Sequence, residues 1–203
     1  MEQYIEDLKE IKDIMNRSSR FISLSGWSGV SAGVTALVGA YFAYQTVYTN
    51  QNYLGYRQAQ LSPENLVWLI GIAITTLIIA IGSGVFFTTQ VSKKNNQPLW
   101  DSQTKRLLIN LSIPLITGGM ACLILLSKGF VGIIAPLTLV FYGLALVNAS
   151  KYTLQEIRSL GITEIILGLI AMHFIGFGLL FWSIGFGLLH IGYGIFMQIK
   201  YRP

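Results

Sequence analysis

The feature that most limits what this chain can become is a series of apolar stretches, each as long as a bilayer is thick. They cover roughly residues 21–48, 66–90, 106–127, 130–149 and 161–199. A spanning helix needs about 20 apolar residues. The last stretch is too long for one crossing. It contains Gly176-Phe177-Gly178, residues that break helices and permit turns. Dividing it there predicts an all-α, polytopic membrane protein with six transmembrane helices, at 21–48, 66–90, 104–127, 130–150, 154–175 and 179–200. Composition agrees. Only 11% of the 203 residues are charged and mean hydropathy is +0.58, whereas soluble domains carry about 25% charge. The length suits one transmembrane domain, 21–203, preceded by a charged segment, 1–20.

Charge placement tests the helix count. Lys and Arg beside membrane helices favour the cytoplasm. In the six-helix reading, every one of the 14 Lys and Arg residues except Arg57 and Lys128 falls on one side. That side holds both termini, so the expected topology is N-in/C-in, with three helical hairpins. Five helices would put Lys200 and Arg202 outside. Net charge is +5, but the cations sit in short loops and form no nucleic-acid stripe. Tyr44, Tyr48, Tyr53, Tyr56, Trp68 and Trp182 mark the outer interface, and Trp100, Tyr152 and Tyr201 the inner one.

Local signals fit these boundaries. Ser62-Pro63-Glu64 has the order of a helix start: N-cap, first-turn proline, acidic first turn. Asp101 or Ser102 is positioned to cap the third helix, and Lys128-Gly129 to close a tight turn. Pro114 and Pro136 lie inside predicted helices three and four, where each removes a backbone bond. Cys122 is the only cysteine, so no intrachain disulfide forms, and it reads as a small hydrophobe. The charged first 20 residues do not resemble a cleavable signal, and the first apolar segment is expected to direct insertion.

Residues 2–16 predict an amphipathic helix with Tyr4, Ile5, Leu8, Ile11 and Met15 on one face. It suits the bilayer surface, the protein's own inner face, or a protein partner docking through 2–18. Loop 49–65 is the one long outer loop, semi-ordered or a ligand lid. Ser25-Gly26-Trp27-Ser28-Gly29 places glycines around a serine without a His–Asp set, and Gly29 and Gly33 form Gly-x-x-x-Gly, a packing surface.

Three segments end alike: 84–93, 143–151 and 194–200 each run from Gly to Lys, as tandem hairpins would. The block Gly161-Ile-Thr-Glu-Ile-Ile-Leu-Gly168-Leu-Ile-Ala, then Trp182-Ser-Ile-Gly185-Phe-Gly187 and Gly192-Tyr-Gly194, resembles the hairpin unit of the HdeD-like bacterial membrane proteins. That resemblance covers about the last 40 residues and rests on spaced glycines. It implies six helices in three hairpins, an association with acid resistance and no established enzymatic activity. The charged N-terminal segment and the long first outer loop are not part of that pattern. The chain also resembles uncharacterised Bacteroidota-type six-helix membrane proteins, which implies a bacterial inner membrane and no particular role.

If the last two helices turn at about 177–178, residues at equal depth have numbers summing to about 355. Gly168 then faces Gly187, and Gly161 faces Gly194, so two small-residue stripes are expected to pack together. The same register sets Glu164 beside His190, an ionisable pair inside the hydrocarbon. A lone charge there costs at least ~2.5–3.5 kcal/mol, and two opposite groups offset each other. The pair is either a structural bond between helices or a proton-responsive or substrate-polarising device. Tyr193, three residues after His190, could join it. Asn110 falls level with Asn148, and the two amides are expected to bond across helices three and four. His173 reads as an interfacial residue.

No metal cluster, phosphate loop, nucleophile elbow or His-Glu-x-x-His is present in the sequence, and His173 and His190 lie at different depths. No cofactor is expected. The reading is a non-enzymatic accessory, sensory or stress-related protein of the inner membrane, with the lipid bilayer, a second copy or a protein as partners. The first alternative is a small transporter or channel with Thr75, Thr76, Asn110, Thr117, Asn148, Glu164 and His190 along a path. An intramembrane enzyme is the second.

Overall fold

A computed structural model describes residues 25–48, 62–94 and 100–201. The expected amphipathic helix at 2–16 and most of loop 49–65 lie outside them. The described chain is all-helical, with six helical stretches: α1, Gly26–Tyr48; α2, Pro63–Lys94; α3, Ser102–Ser127; α4, Val131–Tyr152; α5, Gln155–His173; and α6, Ile175–Lys200. Helix α4 begins and ends in 3-10 turns. Four of the six, α2, α3, α4 and α6, are long and apolar enough to cross a membrane. Helix α1 is rich in Gly, Ser, Thr and Tyr, and α5 carries Glu156, Arg158 and Glu164, which lowers the hydropathy of both.

Several starts and stops follow from local chemistry. The Ser62 hydroxyl accepts the Asn65 N–H at 3.2 Å with Pro63 in first helical position, where a missing N–H costs nothing. Asp101 caps α3, accepting the Thr104 N–H and hydroxyl, each at 2.7 Å. Gly129, with φ +83°, makes the turn into α4, a conformation that only glycine adopts without strain. Pro136 lies near the N-terminus of α4, where it interrupts little. Pro114 lies in mid-α3 and deprives the Asn110 carbonyl of its helical donor four residues on. The Asn148 amide of α4 donates to that carbonyl at 3.0 Å. One helix thus supplies the bond that the other's proline removes.

Helix packing departs from three equal hairpins. The broadest contacts are α4–α5, α1–α2, α3–α4 and α1–α6, while α5 and α6 touch lightly despite their short connection. Two of these pairs close on glycine. A Cβ on Gly161 would meet the Gly143 carbonyl at 2.7 Å, and one on Gly143 would meet that of Gly161 at 2.5 Å. Likewise a Cβ on Gly194 would lie 2.7 Å from the Gly26 carbonyl, and Gly33 abuts the Gly187 carbonyl. The expected pairing of Gly168 with Gly187 and Gly161 with Gly194 is therefore corrected. Gly161 and Gly168 face α4, at Gly143 and Pro136; Gly187 and Gly194 face α1, at Leu37 and Gly26. The reason is rotation about the helix axis. A turn sets which residues share a depth, but all neighbours together set which way each face looks. The Gly-to-Lys endings also differ in use: Gly143 and Gly194 are pressed against helices, whereas nothing lies within 4 Å of a Cβ on Gly84.

Outward faces are apolar. On α2, Ile74, Leu77, Ile78, Ile81 and Val85 are all exposed. Apolar surface on this scale marks a membrane or protein contact. Cys122 is buried and free.

Candidate functional site

Glu164 and His190 sit on the edges of their glycine stripes, not at the centres. From Gly161 or Gly168 to Glu164, steps of three and four residues turn the helix by well under a quarter-circle from the stripe. The same holds for His190 between Gly187 and Gly194. With one stripe turned to α4 and the other to α1, these edges meet where α5 passes α6. His190 Nδ1 lies 3.5 Å from Glu164 Oε1, an ion-pair distance longer than a well-made hydrogen bond.

Glu164 is fully buried, at 0% exposure. Neither carboxyl oxygen has a hydrogen-bond partner among the described residues. Besides His190, Glu164 lies by Gly185, where a built Cβ would overlap Glu164 Oε2 and the side chain of Leu139, with Leu167 beyond. Buried polar groups are nearly always partnered, and one that is not invites a functional explanation.

His190 is held on both ring nitrogens. Nδ1 is 3.0 Å from the Gly185 carbonyl and Nε2 is 2.8 Å from the Tyr142 hydroxyl. A carbonyl only accepts, so Nδ1 carries the proton. In the neutral imidazole, Nε2 then accepts from the Tyr142 O–H. In the imidazolium, Nε2–H donates to the phenol oxygen instead. Both charge states thus retain both bonds, and only Glu164 sees a large difference.

The backbone makes this possible. Helix α6 is not α-helical throughout: after a short α-helical turn, Gly178–Trp182, residues Ser183–Leu189 form a π-helix, and α-geometry resumes at His190. In a π-helix, residues five apart stack, which brings His190 over Gly185. Gly185 contributes its carbonyl and, having no side chain, room for the Glu164 carboxyl. Phe186 of the same segment lies between Trp182 and Tyr142, with ring centroids 4.9 Å from each, and stacks against His190. π-turns inside α-helices are rare and concentrate at functional sites.

Tyr142 is the member that sequence reasoning missed, having offered Tyr193. Tyr193 packs instead against the apolar cluster of Leu146, Leu154, Ile157, Leu160 and Met197. The available signal was position, since a phenol in the middle of a span is out of place in an interfacial belt. Gly185 gave no signal, because the π-segment has no readable sequence mark.

Other expected residues fall elsewhere. Asn110 and Asn148 do not pair amide to amide. The Asn110 amide bonds its own helix at the Arg106 carbonyl, 2.7 Å away, and Asn148 takes the Asn110 backbone. Thr76 touches Gly39 on α1, Thr75 is exposed, and the exposed Thr117 hydroxyl bonds the Ile113 carbonyl. The polar residues of the expected path thus fall in several places: Thr76 against α1, Asn110, Thr117 and Asn148 along α3 and α4, Glu164 with His190 between α5 and α6, and Thr75 on the exposed face of α2. His173 is exposed beside Phe174 at the end of α5. At the opposite end of the α5–α6 pair, Glu156 accepts from Lys200 at 2.5 Å and from the Tyr201 hydroxyl at 2.9 Å. Desolvation, with that hydrogen bond, holds the Tyr201 phenol above its ordinary value.

Among the described residues no three His, Cys, Asp or Glu side chains are grouped to hold a metal ion. Comparison with known protein families, with characterised proteins and with solved structures yields no match.

Proposed function

We propose that this is a six-span membrane protein with both termini cytoplasmic, in which Glu164, His190 and Tyr142 form a proton-responsive element serving an accessory or sensory role. The carrying observation is the fully buried Glu164 carboxyl, unpartnered except for His190 at 3.5 Å. A purely structural pair would be expected to close to hydrogen-bond distance and satisfy both oxygens.

Proton bookkeeping supplies the mechanism. With one proton shared between them, the pair is neutral overall, as carboxylate and imidazolium or as acid and imidazole. Adding a proton leaves a net positive charge, and removing one leaves a net negative charge. Either charge in hydrocarbon costs at least ~2.5–3.5 kcal/mol. That cost falls on the π-segment, whose Gly185 carbonyl holds His190 and whose glycine accommodates Glu164. A return of 183–189 to α-geometry would carry Gly185 off the His190 side and separate the pair. The two endpoints differ in helix register, the kind of discrete change that a switch needs.

Two features support six spans. Helices α1 and α5, less apolar than the rest, pack broadly against α6 and α4, both long enough to cross. The distribution of Lys and Arg favours an even number of crossings. A stress-related role, of the kind the HdeD-like resemblance implies, would employ such a proton-sensitive element. In this reading the protein is not an enzyme.

Hydrogen–deuterium exchange by the detergent-solubilised protein at several pH values tests the mechanism. Amides of 183–190 should exchange faster at both pH extremes than at the midpoint, and Glu164→Gln should abolish the response on the alkaline side. Exchange in this segment that follows only the intrinsic chemical rate would remove the basis for a switch.

A further inference from the structure

A second feature lies on the opposite side of α4. A groove between α3 and α4 is walled by Phe141, Leu144 and Val147 on one side and by Pro114 and Thr117 on the other. It ends at Asn148 and Lys151. Phe141, Leu144, Asn148 and Lys151 recur at three- and four-residue steps, so the groove follows one face of α4. From Phe141 to Lys151 is ten residues, about 15 Å of helix rise. That is half of a ~30 Å hydrocarbon core, the depth of one leaflet.

Among the described residues, the one charged side chain that lines the groove is a cation. Lys151 lines the groove, and Arg106 lies on the α3 face that continues through Asn110 and Pro114, one turn beyond Asn110 towards the same end. Both side chains are exposed. The ion pairs among the described residues are His190–Glu164 and Lys200–Glu156, so neither Arg106 nor Lys151 has a carboxylate within 4.0 Å there. Asn148 lies one turn deeper than Lys151, and its amide is fixed by the Asn110 carbonyl. From the mouth inward, the groove offers the Lys151 ammonium, with Arg106 on the neighbouring face of α3, then an amide and then apolar side chains.

We infer that the α3–α4 groove binds one anionic phospholipid of the cytoplasmic leaflet. Its phosphate lies between Arg106 and Lys151, its glycerol esters lie at the level of Asn148, and one acyl chain lies along Val147, Leu144 and Phe141. The order of chemistry along the groove is that of a phospholipid, and its length is that of one leaflet. Basic pockets between membrane helices on the cytoplasmic side recognise anionic headgroups in this way. The inference uses the proposed orientation but not the proton-responsive site.

The test is native mass spectrometry of the full chain in detergent, titrated with dioleoylphosphatidylglycerol or dioleoylphosphatidylcholine. Phosphatidylglycerol should bind preferentially, and Arg106→Gln with Lys151→Gln should weaken it about 30-fold, given the usual worth of two cations at an anionic surface. Lys151→Arg should retain binding, which separates lost charge from lost folding. Lys93→Gln with Lys94→Gln, on α2 and outside the groove, should leave binding unchanged. Leu144→Trp, filling the groove, should weaken binding while the protein remains folded. An equal loss in the Lys93/Lys94 variant would mean diffuse surface attraction and overturn the inference. So would competition by inorganic phosphate at the lipid's concentration, unaltered binding in Leu144→Trp, or displacement of lipid by a second copy as protein concentration rises.

Discussion

Removing each partner of the buried pair, singly and together, gives the most quantitative prediction. His190→Ala deletes the ring that contacts Tyr142 at 2.8 Å, Gly185 at 3.0 Å and Glu164 at 3.5 Å. It leaves a cavity beside a carboxyl with 0% exposure. Breaking a buried pair from one side costs about 3–5 kcal/mol. Glu164→Gln conserves volume and leaves both His190 bonds standing, so it should cost only the ~0.6–1.7 kcal/mol typical of polar contacts between membrane helices. In the double variant no charge remains to be stranded. Its loss should therefore fall short of the sum by about 0.5–3 kcal/mol, the range for residues in direct contact. Reversible unfolding in mixed detergent–SDS micelles, followed by tryptophan fluorescence, measures all three. Additivity within ~0.3–0.5 kcal/mol would refute the coupling.

The other predictions address packing and charge. Gly161→Ala should destabilise by about 1–3 kcal/mol because its Cβ meets the Gly143 backbone; Gly71→Ala, with nothing within 4 Å, should be neutral or slightly stabilising through helix propensity. Thermal unfolding distinguishes them. Asn148→Leu should cost about 0.6–1.7 kcal/mol, but much less beside Pro114→Ala, where the restored N–H gives the Asn110 carbonyl a helical donor. A thermodynamic cycle checks this. Gly185→Ala should expel the Glu164 carboxyl from its place and make stability insensitive to Glu164→Gln. Wild-type stability should pass through a maximum with pH, falling on the acid side as the pair gains a net positive charge and on the alkaline side as it gains a net negative one. Glu164→Gln should keep only the acid limb, as His190 charges. Unfolding midpoints across pH measure both limbs.

Much of this was legible in the chain, for physical reasons that differ by residue. The helix boundaries follow from apolar length and from caps such as Ser62 and Asp101, which act within one turn. The count that sets Glu164 level with His190 assumes a turn at Gly176-Phe177-Gly178. The chain breaks instead at Phe174, with both glycines inside α6, and the 3-10 and π segments of α6 change the rise per residue, yet the two side chains still meet. The partners of Gly161 and Gly194 do not follow from that count. Their direction around the helix depends on Gly143 and Gly26, far away in sequence. Tyr142 was hidden for the same reason, being a third helix's contribution to a two-helix inference. The π-geometry of 183–189 was hidden more deeply, since it depends on packing at Gly185 and Gly187 and not on any residue preference. For Asn148, the count found the right depth and the wrong acceptor. What mattered was the carbonyl that Pro114 had left open.

The most direct test of the proposed proton response at Glu164 is infrared difference spectroscopy between acid and alkaline pH on the protein in lipid, with Glu164→Gln as reference. A proton response at Glu164 requires a carboxyl C=O band that appears or shifts with pH in the wild type, is lost in Glu164→Gln, and moves in frequency when His190 or Tyr142 is substituted. A wild-type spectrum with no carboxyl change attributable to Glu164 across about pH 4–9, the range that spans ordinary Glu and His titration, would contradict it.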